Sequence, residues 1–500
     1  MTSREPPRVL CVTPELAPWA KSGGLGDVSA ALPVALRASG VDARLLVPAY
    51  PGLRAACKGA RPVAADLHFD GDFAPARLLS AELPATAPLF LIDCPPCYER
   101  PGGVYQDGQG RDWPDNHLRF GLLSRIAALL GSADTPLDWM PDVVQCHDWP
   151  AGLAPAYLNF ARPPRSASLM TIHNAAFQGI FPPATLSALG LPPQAFSSEG
   201  VEYYGNLSFL KAGIHYADRI STVSPTYARE IQTPELGCGM DGLLRHRSPH
   251  LSGILNGIDT TVWDPATDPL LAQRYDAAHL TRKRANKLAL QARFGFEVYE
   301  EIPLLGVVSR VVQQKGLDLL AQIVPRLAAH PVQLVVLGAG EPELERVWRA
   351  LAEEYRRQVA VTIGYDEALA HVVEAAADIF VMPSRFEPCG LNQLYSMRYG
   401  TPPVVRATGG LADTVTDCNA HTLADGTATG FVFHEPTGAA LYGAIDRALA
   451  ARNDSAAWRA LQLNGMRKDF SWQAPARRYA ELYYALIAER TAPGGSSPAD

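Results

Sequence analysis

Short, unbroken apolar runs alternate along this chain with segments whose apolar residues recur every three or four positions. Arg8-Val9-Leu10-Cys11-Val12-Thr13 is a run of strand length. Leu25, Val28, Leu32, Ala35 and Leu36 then mark a helix that Pro33 should kink and Gly40 should end. A second strand is predicted over 41–47, so the chain opens with a βαβ unit, the start of a parallel sheet. Residues 60–115, rich in Pro, Gly and Ala, read as strands and surface loops. A helix over 116–130 carries Leu118, Leu122, Leu123, Ile126 and Leu130 on one face, and strands follow over 142–146, 169–172 and 218–224.

A second alternation begins after Trp263-Asp264-Pro265 and the polar run beyond it, which read as a connector. Strands are predicted over 304–308, 332–337, 359–363 and 378–382, with helices over 317–327, 341–358 and 367–377 between them. Leu391, Leu394, Tyr395 and Arg398 mark a further helix that Gly400 stops. Residues 471–490 form an amphipathic helix with Tyr479, Leu482, Tyr483, Leu486 and Ile487 on one face. Two consecutive doubly wound α/β halves are the architecture this implies. The expected division is 1–255, 256–470, the helix 471–490 and a disordered small-residue tail over 491–500.

Composition narrows the function classes. Five hundred residues exceed one core, since domains hold roughly 100 to 200 residues. A formal charge of −7 argues against nucleic-acid or anionic-membrane partners and suits a neutral, hydroxyl-rich one. No run of about 18 apolar residues and no leader-like segment is present, so a cytoplasmic protein is expected. Eight scattered cysteines do not make a disulfide framework. Cys94-Pro95-Pro96-Cys97 lacks a second pair to complete a zinc site. Its surroundings do not predict a helix opening after a strand, as a redox pair needs, so it reads as structural.

Candidate chemistry lies where strands end. Pro388 holds Glu387 extended at the exit of the strand 378–382, and Cys389-Gly390-Leu391 should open a helix whose free N–H groups favour an anion. That corner admits two readings, an active-site carboxylate or a solvated glutamate in a surface turn. Lys21-Ser22-Gly23-Gly24-Leu25-Gly26-Asp27 would bring backbone and one cation close to a ligand at a helix start. His147-Asp148-Trp149 and His173-Asn174 stand at the ends of two apolar strands, as site residues or as buried, hydrogen-bonded histidines. Arg310 and Lys315 leave the strand 304–308 in one loop and could face a single anion. Gly338-Ala339-Gly340 lacks the third glycine of the dinucleotide fingerprint and reads as a tight turn.

Six motifs in this order carry a family resemblance: Lys21-Ser22-Gly23-Gly24-Leu25, His147-Asp148-Trp149, Ile172-His173-Asn174, Asn256-Gly257-Ile258-Asp259, Ser309-Arg310…Gln314-Lys315-Gly316 and Ser384-Arg385-Phe386-Glu387-Pro388-Cys389-Gly390-Leu391. The chain resembles the bacterial glycogen synthases, and also the plant starch synthases, from Val9 to about Ala488. The resemblance implies a GT-B fold, two Rossmann-like domains with the active site in the cleft between them, the final helix crossing back onto the first domain. It implies an ADP-glucose donor, an α-1,4-glucan (glycogen) acceptor extended at its non-reducing 4-hydroxyl, retention of configuration, and no metal or other cofactor.

Residue by residue, it places Arg310, Lys315 and Lys21 on the diphosphate. Gly24, Gly390 and Leu391 fall where backbone N–H groups approach phosphate or sugar, and Gly23 and Cys389 join them as substrate-binding residues. Asp27 falls near the nucleotide, Asn256 among the substrate-binding residues, Tyr365 on the adenine, Asp148 and His173 beside the glucosyl unit, and Glu387 on the key carboxylate. Physically, cations can replace a metal in neutralising a departing diphosphate, and a carboxylate can stabilise an oxocarbenium-like sugar. Retention by double displacement and by attack from the leaving-group face both stay open, as does contact through the ring or the carbonyl of His173. Tyr395 stands where the E-x7-E pattern has its second Glu, Pro150 where the family often has His, and Ser22 where Thr is usual. Rival readings are a UDP-glucose donor or a small acceptor such as maltose, a silent glucan-binding protein, and a phosphorylase carrying pyridoxal phosphate.

Overall fold

The computed structural model describes residues 5–491 and divides the chain into two compact units, Met1–Gly257 with Trp472–Asp500, and Ile258–Ser471. The tail expected over 491–500 lies outside the described residues except for Thr491, which closes the final helix, Gln473–Thr491.

Unit 1 is built on a nine-stranded sheet. Its strands are β1 (Arg8–Val12), β2 (Asp42–Pro48), β3 (Arg61–Leu67), β4 (Ala76–Ala81), β5 (Leu89–Asp93), β6 (Val143–His147), β7 (Ala167–Ile172), β11 (Arg219–Thr222) and β12 (Leu251–Gly253). A separate three-stranded sheet holds β8 (Ile180–Phe181), β9 (Glu202–Tyr203) and β10 (Asn206–Ser208). The large sheet runs β12-β11-β7-β6-β1-β2-β5-β4-β3. It is parallel from β12 to β5, and the β5-β4-β3 edge turns antiparallel. Strand order reverses between β1 and β6, so their exits flank a topological switch point, where ligands of open α/β sheets bind.

The first helix, Gly24–Ala38, runs on through Pro33. Trp472, just ahead of the final helix, and Ala476, Tyr479, Tyr483 and Leu486 on it pack into the core formed by Val9, Cys11, Leu45, Val47 and Leu91. Tyr483 completes the attachment by donating its hydroxyl to Gln145 Oε1 at 2.6 Å.

Unit 2 holds a six-stranded, wholly parallel sheet in the order β15-β14-β13-β16-β17-β18. Its strands are β13 (Leu304–Val308), β14 (Gln333–Gly338), β15 (Val359–Ile363), β16 (Ile379–Met382), β17 (Pro403–Arg406) and β18 (Phe431–Phe433). Period-two alternation sorts each apolar run onto two faces. Leu305, Val307, Leu334, Val336, Ile379 and Val381 share one core, while Leu304, Val335, Leu337, Phe380 and Met382 share the other. Burial on both faces is why these strands are continuously apolar. The order again reverses, between β13 and β16, beneath the two loops with the strongest charged motifs.

Four expectations need correction. The polar run after Trp263 is not a connector: it forms the helix Lys283–Arg293, whose Lys287 ammonium is buried against Asp378 at 2.7 Å. Trp263 itself stacks between His371 (3.8 Å) and Tyr395 (3.7 Å). A polar pattern hid this because lysine stems pack as apolar chains once their amines find partners. The helix expected over 341–358 is Pro342–Glu354. Cys94-Pro95-Pro96-Cys97 does follow a strand, β5, and does open a helical turn, Pro95–Tyr98. Finally, Cys389-Gly390-Leu391 precedes its helix, which spans Asn392–Arg398.

Candidate functional site

In unit 2, β13 and β16 deliver their exit loops side by side. Arg385 N–H donates to Gln314 O at 2.8 Å, and the Arg385 guanidinium holds Asp318 through two bonds of 2.6 and 2.7 Å. Gly316 allows this approach: it sits at φ +67°, and a Cβ there would lie 2.0 Å from Pro383 O. Between the loops, Lys315 Nζ meets Glu387 Oε2 at 2.6 Å, and Ser384 Oγ donates to the same oxygen at 2.9 Å. Glu387 is buried, 4% exposed. Below it, Gly410 N–H donates to Glu387 O at 3.1 Å, and a Cβ on Gly409 would lie 1.9 Å from that carbonyl. The strand-exit carboxylate is therefore an ion-paired, backbone-clamped group, not a solvated surface glutamate.

Arg310 is exposed on the same loop and donates to Gln314 Oε1 at 3.0 Å, while Gln314 Nε2 reaches Phe386 O at 3.4 Å. The glutamine thus links the arginine to the carboxylate loop. Cys389 is buried, Gly390 adopts φ +72°, and Leu391 is half-buried ahead of the helix. Tyr365 is 73% exposed, its hydroxyl donating to Glu367 Oε2 at 2.7 Å. Tyr395, at the second Glu position of E-x7-E, is buried in the stack on Trp263, so a carboxylate there would enter an apolar core.

In unit 1, Lys21, Gly23, Gly24 and Asp27 surround the start of the helix Gly24–Ala38 at the exit of β1. Lys21 Nζ pairs with Asp27 Oδ1 at 2.7 Å. Glu15, which sequence reasoning missed, fixes the loop. Its Oε2 accepts from Ser22 N–H (2.8 Å) and Gly23 N–H (3.2 Å), and its Oε1 accepts from Tyr105 Oη (2.7 Å). Burial raises the carboxyl pKa of Glu15 against those donors. Nothing in the Pro14-Glu15-Leu16 run distinguishes this anchor from an ordinary loop glutamate.

Across the switch point, β6 ends at His147, and Asp148 follows with φ +60° and ψ −177°. A non-glycine residue held there stores on the order of 1–3 kcal/mol of strain, a hallmark of functional positions. Asp148 N–H bonds Thr171 O at 2.9 Å, and its carboxylate accepts from His173 N–H at 3.4 Å. Burial drives the Asp148 carboxyl up to about 8, against the N–H donors of Asn174, His173 and Trp149. His147 Nδ1 lies 3.0 Å from His173 Nε2. Burial lowers His147 to about 3 and pushes His173 well below its ordinary value, so both rings are neutral. Asn256, at the end of unit 1, is buried, and its Oδ1 has no hydrogen-bond partner among the described residues.

Each unit thus gathers its own motifs at its own switch point. Lys315, Glu387 and Arg310 form one cluster, Asp148 and His173 another, and the Lys21 loop stands at the neighbouring strand exit. Gly338-Ala339-Gly340 is a turn that wraps Val311, which donates to Ala339 O and accepts from Glu341 N–H. Among the described residues, no group of three or more His, Cys, Asp or Glu is gathered as a metal ligand set.

The starch synthase catalytic domain family matches residues 8–246, and glycosyl transferases group 1 matches residues 291–461. Glycogen synthase of Nitrosomonas eutropha is 55% identical over 98% of each chain. Glycogen synthase of Aromatoleum aromaticum is 56% identical over 97% of this chain and 98% of that protein. Among solved structures, the catalytic domain of starch synthase IV from Arabidopsis thaliana, bound to ADP and acarbose, superimposes with a TM-score of 0.87 at 32% identity, over 97% of this chain and 100% of that one. Two Rossmann-like units of this kind are the GT-B class, and the chain is a glycosyltransferase that belongs to the glycogen synthase family.

Proposed function

We propose that this protein is an α-glucan elongase that transfers glucose from ADP-glucose to the non-reducing 4-hydroxyl of an α-1,4-glucan, with retention. The observation that supports it most is the Lys315–Glu387 pair at 2.6 Å, held beneath the β13–β16 switch point with Arg310 on the same loop. Unit 2 is assigned the donor. Lys315 and Arg310 take up the charge that grows on the departing diphosphate, a task preorganised donors perform without reorganisation. Glu387 holds Lys315 and stabilises the electron-poor sugar. Tyr365 offers a ring to the adenine, and Cys389, Gly390 and Leu391 offer backbone to phosphate or sugar.

Unit 1 is assigned the acceptor. Asp148 and His173 address the transferred glucosyl unit, and Lys21, with Gly23, Gly24 and Asp27, adds a further contact to the nucleotide. Asn256 is assigned to the substrates through its unpartnered Oδ1. No helix among the described residues is long and apolar enough to cross a membrane. The eight cysteines are free thiols, which suits the cytoplasm as the site of action.

Initial rates on glycogen with ADP-glucose and with UDP-glucose, reading nucleotide release and product chain length, test this assignment. ADP-glucose is expected to support elongation and UDP-glucose to be a poor donor. Glycogen binding without release of ADP would leave only the silent-binder reading. An absorbance band of bound pyridoxal phosphate would point to a phosphorylase.

A further inference from the structure

Cys94-Pro95-Pro96-Cys97 stands outside the groups assigned to glucosyl transfer, yet it has the placement of a redox pair. Cys94 directly follows β5, and the chain then closes one helical turn: Cys97 N–H and Tyr98 N–H both donate to Cys94 O, at 2.9 and 3.0 Å. Residues three apart on such a turn hold their Cβ atoms about 5–6 Å from each other, close to disulfide separation. The two thiols interact directly. The Cys97 thiol, with the Cys97 backbone N–H and Arg100 behind it, holds the Cys94 pKa below the ordinary thiol value against burial. Cys97 is raised, by Cys94 first and by burial second. This split supplies an attacking sulfur and a resolving one. By contrast, burial alone raises Cys11 and Cys146. Both thiols of the pair are buried, but Pro95 and Pro96 between them are exposed, so the pair lies directly beneath a surface turn.

Two arginines clamp this turn. Arg119 Nε donates to Cys97 O at 2.8 Å, and Arg100 Nε donates to Pro96 O at 2.8 Å while its Nη1 holds Asp115 Oδ1 at 2.7 Å. The Arg119 clamp leads on to the site. Its Nη1 donates to Val104 O at 3.0 Å, and the next residue, Tyr105, bonds Glu15 at 2.7 Å. Glu15 in turn holds the N–H groups of Ser22 and Gly23, beside Lys21. A continuous path of bonds therefore joins the carbonyl of Cys97 to the Lys21 loop, all within unit 1.

We propose that Cys94 and Cys97 are a redox-active dithiol that a hydroperoxide closes to a disulfide, and that closure weakens the hold of the Lys21 loop on the nucleotide. The second half rests on the role given to that loop above. In the first step the Cys94 thiolate attacks one peroxide oxygen and the O–O bond breaks. Cys94 becomes a sulfenic acid, and the departing oxygen takes up the proton Cys94 gave up, leaving as an alcohol, or as water from hydrogen peroxide. The Cys97 sulfur then attacks Cys94 Sγ, the S–O bond breaks, and hydroxide leaves as water with the Cys97 proton. The sulfurs lose two electrons and the peroxide gains them. A reducing dithiol restores both thiols by exchange. Closing the bond draws the Cβ atoms to about 3.8 Å, so the turn tightens and pulls Cys97 O against Arg119. A bond made against such a clamp is strained, and strained disulfides are the readily reduced ones.

The test treats the full chain with hydrogen peroxide, blocks remaining thiols with N-ethylmaleimide and reads the digested protein by mass spectrometry. The peptide holding residues 94–97 is expected two hydrogens lighter and unalkylated, and dithiothreitol should restore two alkylation sites. Cys97→Ser should stop at a sulfenic acid on Cys94, trapped by dimedone, and Cys94→Ser should give none on Cys97. Calorimetry with ADP-glucose should show about fivefold weaker binding to the oxidised wild type, reversed by dithiothreitol. Peroxide should leave the affinity of both serine variants unchanged, which separates this pair from the other six cysteines. Should a serine variant melt early, the reversal in the wild type carries the test. Full alkylation of both thiols after peroxide would overturn the dithiol, and a disulfide formed without loss of affinity would overturn its link to the Lys21 loop. Neither readout needs turnover, so a protein that shows both effects yet transfers no glucose would remove the elongase reading and leave the redox pair standing.

Discussion

The two switch points of this molecule hold their polar groups in opposite ways. In unit 1, His147 and Asp148 are buried, and burial alone is the largest influence on each, raising the acid and lowering the base. In unit 2 the buried carboxylate of Glu387 has an ammonium 2.6 Å away, and a second cation, Arg310, stands exposed on the same loop. Desolvation without a countercharge favours neutral groups, which exchange hydrogen bonds with hydroxyls. Ion pairing preserves charge where charge must be met. The contrast suits a neutral acceptor for the first unit and an anionic donor for the second, on the same Rossmann-like scaffold.

The largest expected effect comes from removing the charge of unit 2. Glu387→Gln and Lys315→Ala should each lower kcat by about 10²- to 10³-fold, the loss typical of one preorganised electrostatic group. The two differ in stability. Glu387→Gln keeps an oxygen for Ser384 and should melt near the wild type, whereas Lys315→Ala strands a buried carboxylate and should melt earlier. Turnover is therefore compared at a temperature where both are folded by circular dichroism. Near-wild-type kcat in either variant would remove that residue from the chemistry.

The contrast sharpens with pH. A carboxyl whose folded pKa is raised to about 8 binds more protons folded than unfolded between its ordinary value and about 8, so its contribution to stability falls as pH rises through that window. The neutral histidines act oppositely: with folded values depressed, they stabilise the protein as pH climbs from about 3 through their ordinary range, and they add nothing above it. Between about pH 6.5 and 8 the Asp148 effect therefore stands clear of theirs. The wild type should lose melting temperature across that window, and Asp148→Asn should lose measurably less. Parallel pH profiles for the two proteins would show that Asp148 is ionised in the fold.

Much of this arrangement was legible in the sequence because it rests on local pattern. The strands Leu304–Val308 and Val359–Ile363 and the helix Asn116–Leu130 are found where periodicity put them. The charged motifs were legible because they sit at strand exits, where topology brings ligands. What escaped depends on partners far along the chain. Glu15 is a site anchor only because Tyr105 and the Ser22-Gly23 backbone converge on it. The helix Lys283–Arg293 looks solvent-facing until Lys283 finds the Ala375 carbonyl and Thr401, each at 2.6 Å. The helical turn after Cys94 escaped because four residues are too few to show a periodicity; its two prolines stand in the first turn, where a proline loses no hydrogen bond.

The smallest expected effect asks whether unit 2 also binds through an uncharged surface. Tyr365 is 73% exposed, and a large aromatic ring in water has little structural reason to be there. Its hydroxyl is tethered to Glu367, and it follows Gly364 at φ +138°, a backbone conformation that residues with a Cβ rarely adopt. Stacking of a base on an aromatic ring contributes about 1–3 kcal/mol, so Tyr365→Ala should raise KM for ADP-glucose about tenfold, leaving kcat and melting temperature close to wild type. Tyr365→Phe keeps the ring and loses only the bond to Glu367, so its KM should stay within about twofold of wild type if stacking is what matters. Equal increases in both variants would instead assign the effect to the hydroxyl tether, and charge would then be the only means by which unit 2 recognises its nucleotide.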